Sequence, residues 1–227
     1  MLSKHLENYL KTIWTLQKER GQVSTNLIAE ALEVSSASVT SMLKKLHGMK
    51  LVDYAPYQGA TLSERGEKVA LEVLRHHRLI ELYLSEVVGL TWDQVHAEAE
   101  ELEHALSEDL EAVLFEKLGR PTRDPHGDPI PSLDGKMVTE GTNLLNAAPG
   151  ESLLVIRVRD RNPEILRYLS AMGLLPGVEI TVLERLPFNG PLRIQVGESE
   201  HTLGLEVSEE IFVSAAGGVE STDDDWK

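Results

Sequence analysis

The densest chemistry in the chain lies in nine residues, His96-Ala97-Glu98-Ala99-Glu100-Glu101-Leu102-Glu103-His104. On a helix, His96, Glu100, Glu103 and His104 fall at i, i+4, i+7 and i+8, within about 100° of the circumference. Two imidazoles and two carboxylates then share one stripe. Crowded carboxylates disfavour each other's charge unless a cation sits among them. The competing reading is an acidic face left to solvent, the usual fate of Glu-rich helices. Two histidines at the same spacing argue for the cation. A helix start is written just upstream: Thr91-Trp92-Asp93-Gln94 reads as a capping box, with Leu90 and Val95 as a hydrophobic staple.

Two further ligand pairs lie elsewhere. Ser63 is placed to cap a long helix that runs through His77 and Glu81 to about Val88, and His77 and Glu81, at i and i+4, share a face. Asp124 and His126 sit in the loop Gly119–Pro131, where prolines stiffen the chain and can hold two ligands in place. After the stripe, Ser107 is placed to cap a helix from Glu108 to Leu118. Leu79, Leu82, Leu84, Leu110, Val113 and Leu114 give these helices more apolar surface than a small neighbour can cover, so a homodimer is expected.

Composition bounds the rest. The 227 residues are 41% hydrophobic and contain no cysteine, which excludes disulfides, thiolate metal sites and cysteine nucleophiles. Met1–Glu7 has no apolar signal core and no run approaches membrane-spanning length, so a cytoplasmic protein with no membrane partner is expected. The net charge of −15 argues against nucleic acid. Its distribution argues back: residues 1–78 hold 11 Lys/Arg against 8 Asp/Glu, and residues 79–227 hold 11 against 29. A mildly basic first third joined to an acidic remainder suits a DNA-reading module beside a cation-binding one.

That first third reads as helix (4–19), helix (25–32), tight turn at Glu33-Val34, helix (from Ser35 or Ser36 to about Met49), then a hairpin across Leu51–Leu62. In the third helix Val39, Met42, Leu43 and Leu46 face inward. Short residues and cations face out. A helix entering the major groove needs short side chains toward the base edges and cations toward phosphates. The order is that of a winged helix-turn-helix, with Ser35, Ala37, Ser38, Thr40, Ser41 and Lys45 as the candidate DNA contacts.

Residues 119–150 read as linker. From Glu151 the pattern changes to short strands at Ser152–Val158, Val178–Leu183, Leu192–Val196, His201–Leu205 and Ile211–Ser214, with a helix over Pro163–Met172. This predicts a small SH3-type barrel. Gly217–Lys227 reads as a disordered tail.

These residues resemble the iron- and manganese-dependent repressors of the diphtheria toxin repressor type. The resemblance covers residues 1 to about 217 and rests on Arg75-His76-His77-Arg78-Leu79 with Glu81, on Val95-His96 with Glu98 and Glu103-His104, and on Pro125-His126-Gly127-Asp128-Pro129-Ile130-Pro131. It implies a mainly α chain with a small β domain, in the three-domain form. Residues 1–72 are a winged helix-turn-helix, 73–140 a helical dimerisation and metal domain, 151–217 an SH3-like domain and 218–227 a tail. It further implies that Glu100, Glu103 and His104 form a regulatory site. His77, Glu81 and His96 belong to a neighbouring one, with Asp124, His126 and Asp160 as further ligands of manganese-type members and Glu164 matching a ligand of iron-type members.

The family carries Met (iron type) or Asp (manganese type) at position 8. This chain has Asn8, with Glu7 as the adjacent alternative about 100° away on the helix. Position 100 is a carboxylate where iron-type members carry a thiol, which favours Mn²⁺, with Fe²⁺ as the alternative. The expectation is a non-enzymatic, metal-dependent transcriptional regulator, repressing metal-uptake genes as a homodimer on a palindromic duplex. A metalloenzyme built on the Glu/His cluster is the rival, and no nucleophile or phosphate-cradling loop supports it.

Overall fold

Apolar residues recurring at helical spacing make the first three helices: α1 (Lys4–Arg20), α2 (Thr25–Ala31) and α3 (Ser36–Gly48). Leu6, Leu10, Ile13 and Trp14 of α1, Ile28 of α2, and Val39, Leu43 and Leu46 of α3 share one core. Serines start the two shorter helices. Ser24 Oγ accepts from Leu27 N and Ser35 Oγ from Ser38 N, each satisfying an orphan donor. Strands β1 (Val52–Ala55) and β2 (Gly59–Leu62) pair antiparallel with Val52 opposite Leu62, completing a winged helix-turn-helix. Ser63 Oγ accepts from Gly66 N at 3.1 Å and so caps α4 (Glu64–Tyr83).

The structure is a computed structural model that describes residues 2–56, 58–138, 140–159 and 162–216. Asp160 and the segment 217–227 lie outside the described residues. The chain forms two units, one of residues 1–80, 99–120 and 130–137, the other of 81–98, 121–129 and 138–227.

Past Tyr83 the chain makes one π-helical turn, Leu84–Val88, closed by Gly89. Then come α5 (Val95–Leu102) and α6 (Glu108–Lys117), the latter capped by Ser107 Oγ, which accepts from Leu110 N. The capping box ahead of α5 holds in one direction: Gln94 Oε1 accepts from Thr91 N at 3.2 Å. α5 is shorter than the stripe reading requires. Glu103 N still bonds Ala99 O at 2.9 Å, but Ala105 N closes back on Leu102 O, so Glu103 and His104 stand in the turn that ends the helix. Leu79, Leu82 and Leu84 are buried within the chain. Leu102, Leu110 and Val113 are the exposed large apolar residues of α5 and α6.

The sheet of the second unit is antiparallel and six-stranded, in the order β3-β8-β4-β5-β6-β7. Four of its strands are close to the expected ones: β4 (Ser152–Val158), β5 (Glu179–Arg185), β6 (Leu192–Val196) and β8 (Ile211–Ala215). α7 (Pro163–Ala171) follows β4, with Asn162 as its cap. Two corrections follow from local chemistry. The linker reading of 119–150 fails at its end, where Thr142–Asn143 forms β3 against β8 and Leu144 is wholly buried in the sheet's core. β7 is Ser199–Leu203, because Leu205 opens a short helix, α8 (Leu205–Glu209).

Candidate metal centres

In the first unit, α1 presents Glu7, Asn8 and Lys11 on neighbouring turns. α4 presents His77. Glu100 comes from α5, and Glu103 and His104 from the turn after it. The ammonium of Lys11 donates to Glu100 Oε1 at 2.7 Å and to both oxygens of Glu103 at 2.7 and 2.8 Å. His77 Nδ1 donates to Glu103 Oε2 at 2.6 Å. Glu103 is wholly buried. Burial opposes its charge, but the His77 hydrogen bond and the Lys11 cation outweigh burial and hold the carboxyl below its usual range.

His104 is turned by Glu7, whose Oε2 accepts from Nδ1 at 2.7 Å. The other ring nitrogen, Nε2, faces the Glu103 carboxylate. That atom is buried without a hydrogen-bond partner and lies 3.1 Å from Glu103 Oε1. An imidazole nitrogen and a carboxylate oxygen are donor types that one divalent ion takes together. Asn8 Oδ1 is likewise buried and without a hydrogen-bond partner. Carboxylate, imidazole and amide oxygen, with no sulfur, make a donor set for a hard divalent ion such as Mn²⁺. Glu7 serves as the orienting carboxylate behind His104, an arrangement typical of metal-binding histidines.

In the second unit, Glu81, Asp124 and His126 each place one ligand atom within 4.8 Å of the others, and all three are buried. His96 Nδ1 stands 3.2 Å from Glu81 Oε1. The loop is held from behind. Asp124 Oδ1 accepts from the backbone N–H of His126 and of Asp128, both at 2.9 Å, and His126 O accepts from Val158 N at 2.9 Å. His126 Nε2 donates to Trp92 O at 2.6 Å while the two rings stack at 5.8 Å between centroids. The donor role of Nε2 leaves Nδ1 as the lone-pair nitrogen on the Glu81 side. Glu164 stands exposed in the first turn of α7, where its N–H is used by the Asn162 cap.

A third cluster in the first unit is structural. Glu111 accepts from Arg75 Nε and from His76 Nε2, and Arg75 also donates to Pro131 O at 2.7 Å. Burial works against both charges. The partners win, so Glu111 is held below its usual range and His76 above its own.

The outer face of α3 is open. Ser35, Ala37, Ser38, Ser41 and Lys45 are exposed, and Thr40 is half-buried with its hydroxyl donating to Ser36 O at 2.8 Å. Ser35 and Ser38 hydroxyls meet at 2.9 Å.

Lys11 and Trp92 are participants that the motif reading passed over. Lys11 is a polar position at i+3 from Asn8 and i+4 from Glu7, so it shares their face of α1. Trp92 was visible only as part of the capping box.

Family models match nearly the whole chain. Residues 1–60 match the iron dependent repressor N-terminal DNA binding domain, 63–132 the iron dependent repressor metal binding and dimerisation domain, and 142–215 the FeoA domain. The iron-dependent repressor IdeR of Mycobacterium tuberculosis is 33% identical over 220 residues, spanning 91% of this chain and 95% of that protein. Among solved structures, a manganese-dependent transcriptional repressor in complex with manganese is 37% identical with a TM-score of 0.87, covering 93% of this chain and all of the other. The manganese regulator SloR is 32% identical with a TM-score of 0.78, covering 93% of this chain and 98% of its own.

Proposed function

The chain belongs to the iron-dependent repressor family, and from that membership and the centre around Glu103 we propose a homodimeric transcriptional regulator that binds DNA in response to Mn²⁺. The metal-dependent, DNA-binding and dimeric character is the family's own. The choice of ion, the ligands and the operator are our reading. One observation carries it: a sulfur-free donor set in which the wholly buried Glu103 lies 3.1 Å from His104 Nε2, with that nitrogen and Asn8 Oδ1 both buried and lacking hydrogen-bond partners.

Asn8, Glu100, Glu103 and His104 hold the regulatory ion, which when bound supplies a positive charge that α1 and the end of α5 share. Glu7 orients His104, and His77 fixes the carboxylate plane of Glu103. Drawing α1 onto the turn at Glu103 sets the position of α3, so that two recognition helices in a dimer meet successive major grooves of a palindromic site. The ion acts only by its differential affinity for that state. Glu81, His96, Asp124 and His126 hold a second ion that orders the loop 124–129.

Residues 1–72 read DNA, 73–140 dimerise and bind metal, and 151–217 form the SH3-like domain. The exposed Leu102, Leu110 and Val113 are the apolar surface that a second copy covers. No helix among the described residues is long and apolar enough to cross a membrane, and we place the protein in the cytoplasm, with metal-uptake genes as its targets. The family is one of transcriptional repressors, which weighs against the metalloenzyme reading. The test is operator affinity titrated separately with Mn²⁺ and with anaerobic Fe²⁺. Tight binding with Mn²⁺ and release in EDTA is expected. Equal affinity in EDTA and in excess Mn²⁺ overturns the proposal, and a steeper response to Fe²⁺ moves the assignment to iron.

A further inference from the structure

Lys11 stands where the regulatory ion would have to act. Its Nζ lies within 2.8 Å of three carboxylate oxygens, one from Glu100 and two from Glu103. An ammonium has three donors and no acceptor, and here each donor has a carboxylate oxygen. The side chain is only 12% exposed and Glu103 is wholly buried, so solvent does little to screen the contact. The same arrangement leaves other groups unserved: one turn earlier on α1, Asn8 Oδ1 has no hydrogen-bond partner, and neither does His104 Nε2. A lysine can neutralise the two carboxylates, but its single compact charge does not reach the amide oxygen and the imidazole nitrogen as well.

We propose that Lys11 is a tethered competitor for the regulatory metal site. Its ammonium occupies the space between Glu100 and Glu103 while no ion is bound. It must withdraw for an ion to take those carboxylates, so it sets the metal concentration at which the protein responds. This rests on the reading of Glu100, Glu103 and His104 as metal ligands. The physical basis is that apparent affinity equals intrinsic affinity multiplied by the fraction of molecules whose site is vacated.

Two experiments test this on the full-length chain. In the first, Mn²⁺ affinity is measured by calorimetry for the wild type and for Lys11→Met, which keeps the length of the stem without the charge. At least tenfold tighter binding is expected, together with a lower melting temperature in EDTA. Unchanged or weaker binding overturns the proposal. The second needs no substitution, so it stands even if Lys11→Met fails to fold. Wild-type protein is reductively methylated in EDTA and in saturating Mn²⁺, and the lysines are quantified by mass spectrometry. Lys4 and Lys18, at 45% and 58% side-chain exposure, serve as references. Labelling of Lys11 should rise several-fold relative to them when Mn²⁺ binds. Labelling that stays level or falls in a demonstrably Mn²⁺-loaded protein sinks the competitor role. Failure of the underlying site looks different: Glu103→Gln would then leave Mn²⁺ binding intact.

Discussion

Oε2 of Glu7 accepts a hydrogen bond from Nδ1 of His104 across 97 positions of sequence, at 2.7 Å. That bond separates the roles of two adjacent residues on α1. Glu7 is committed to orienting an imidazole, while Asn8 Oδ1 is buried without a hydrogen-bond partner, as the proposed ligand role requires. An amide oxygen is a hard donor but brings no charge. Asn8→Asp is therefore expected to tighten Mn²⁺ binding and Asn8→Ala to weaken it. Glu7→Gln acts through His104 and should cost about 10- to 100-fold, as loss of an orienting partner does. Calorimetric titration of the three variants decides it. An Asn8→Ala protein that binds as tightly as wild type would remove Asn8 from the site.

On α3, exposed Lys45 and exposed Ala37 should fail in different ways. If Lys45 is the phosphate partner proposed, Lys45→Ala should weaken binding to every sequence and lower the slope of log K against log salt by about 1. Ala37→Phe leaves the charge alone but blocks approach to the base edges. It should abolish preference for the operator while non-specific binding persists. Fluorescence anisotropy on operator and scrambled duplexes at several salt concentrations separates the two effects.

The Glu111 carboxylate, buried with Arg75 and His76, predicts an acid limit in the metal-free protein. Burial disfavours its charge, yet its two cationic partners hold its folded pKa below the unfolded value. A depressed carboxyl contributes stability that is present above the unfolded pKa, near 4.3, and is lost as pH falls through the folded one. Denaturation of wild type and Glu111→Gln in EDTA between pH 7 and 3 should show two things. The variant is less stable by about 3–5 kcal/mol at neutral pH, because Arg75 is left in a buried site without its carboxylate. Its stability then declines less steeply below pH 4.5.

The sequence made the first half of this architecture readable because the signals are local. Apolar spacing and the caps at Ser35, Ser63 and Ser107 placed α1 to α3, the start of α4 and α6 to within a residue or two, while α4, expected to reach about Val88, gives way after Tyr83 to a π-helical turn. β4 and β6 begin and end where alternation says they do. What escaped depends on distant partners. Thr142–Asn143 is a strand only because β8 pairs with it, and its Gly- and Asn-containing surroundings look like linker. Glu103 and His104 keep their place in the site although the helix expected to carry them has ended, because the turn sets them toward α1. Lys11 meets Glu100 and Glu103 from 89 and 92 positions away, so only the packing of α1 makes it part of the site. That the four residues of the 96–104 stripe divide their partners, His96 to Glu81 and Glu103 to Lys11 and His77, follows from contacts that a helical projection does not contain.

Gly127 ties the loop of the proposed second metal centre to the sheet, and its substitution should separate the two proposed centres. It adopts φ +85°, a region that costs an L-residue about 1–2 kcal/mol. A Cβ built there would lie 2.0 Å from Ile156 O, so the loop would have to move off β4. His126 precedes it and is held by Val158 N and Trp92 O, and Asp128 follows it and pairs with Arg157 at 3.1 Å. Shifting the loop pulls His126 and Asp124 from Glu81. Gly127→Ala should therefore bind one Mn²⁺ fewer per chain by equilibrium dialysis, and melt at a lower temperature with the loss confined to the second unit. The centre at Glu100, Glu103 and His104 uses none of these contacts and should retain its affinity. His126→Ala is the control, because it removes the ligand without the steric clash. It should reproduce the lost stoichiometry with a smaller loss of stability. If both variants still bind the full complement of Mn²⁺, the Glu81–Asp124–His126 cluster is a buried polar network that holds the loop and binds no ion.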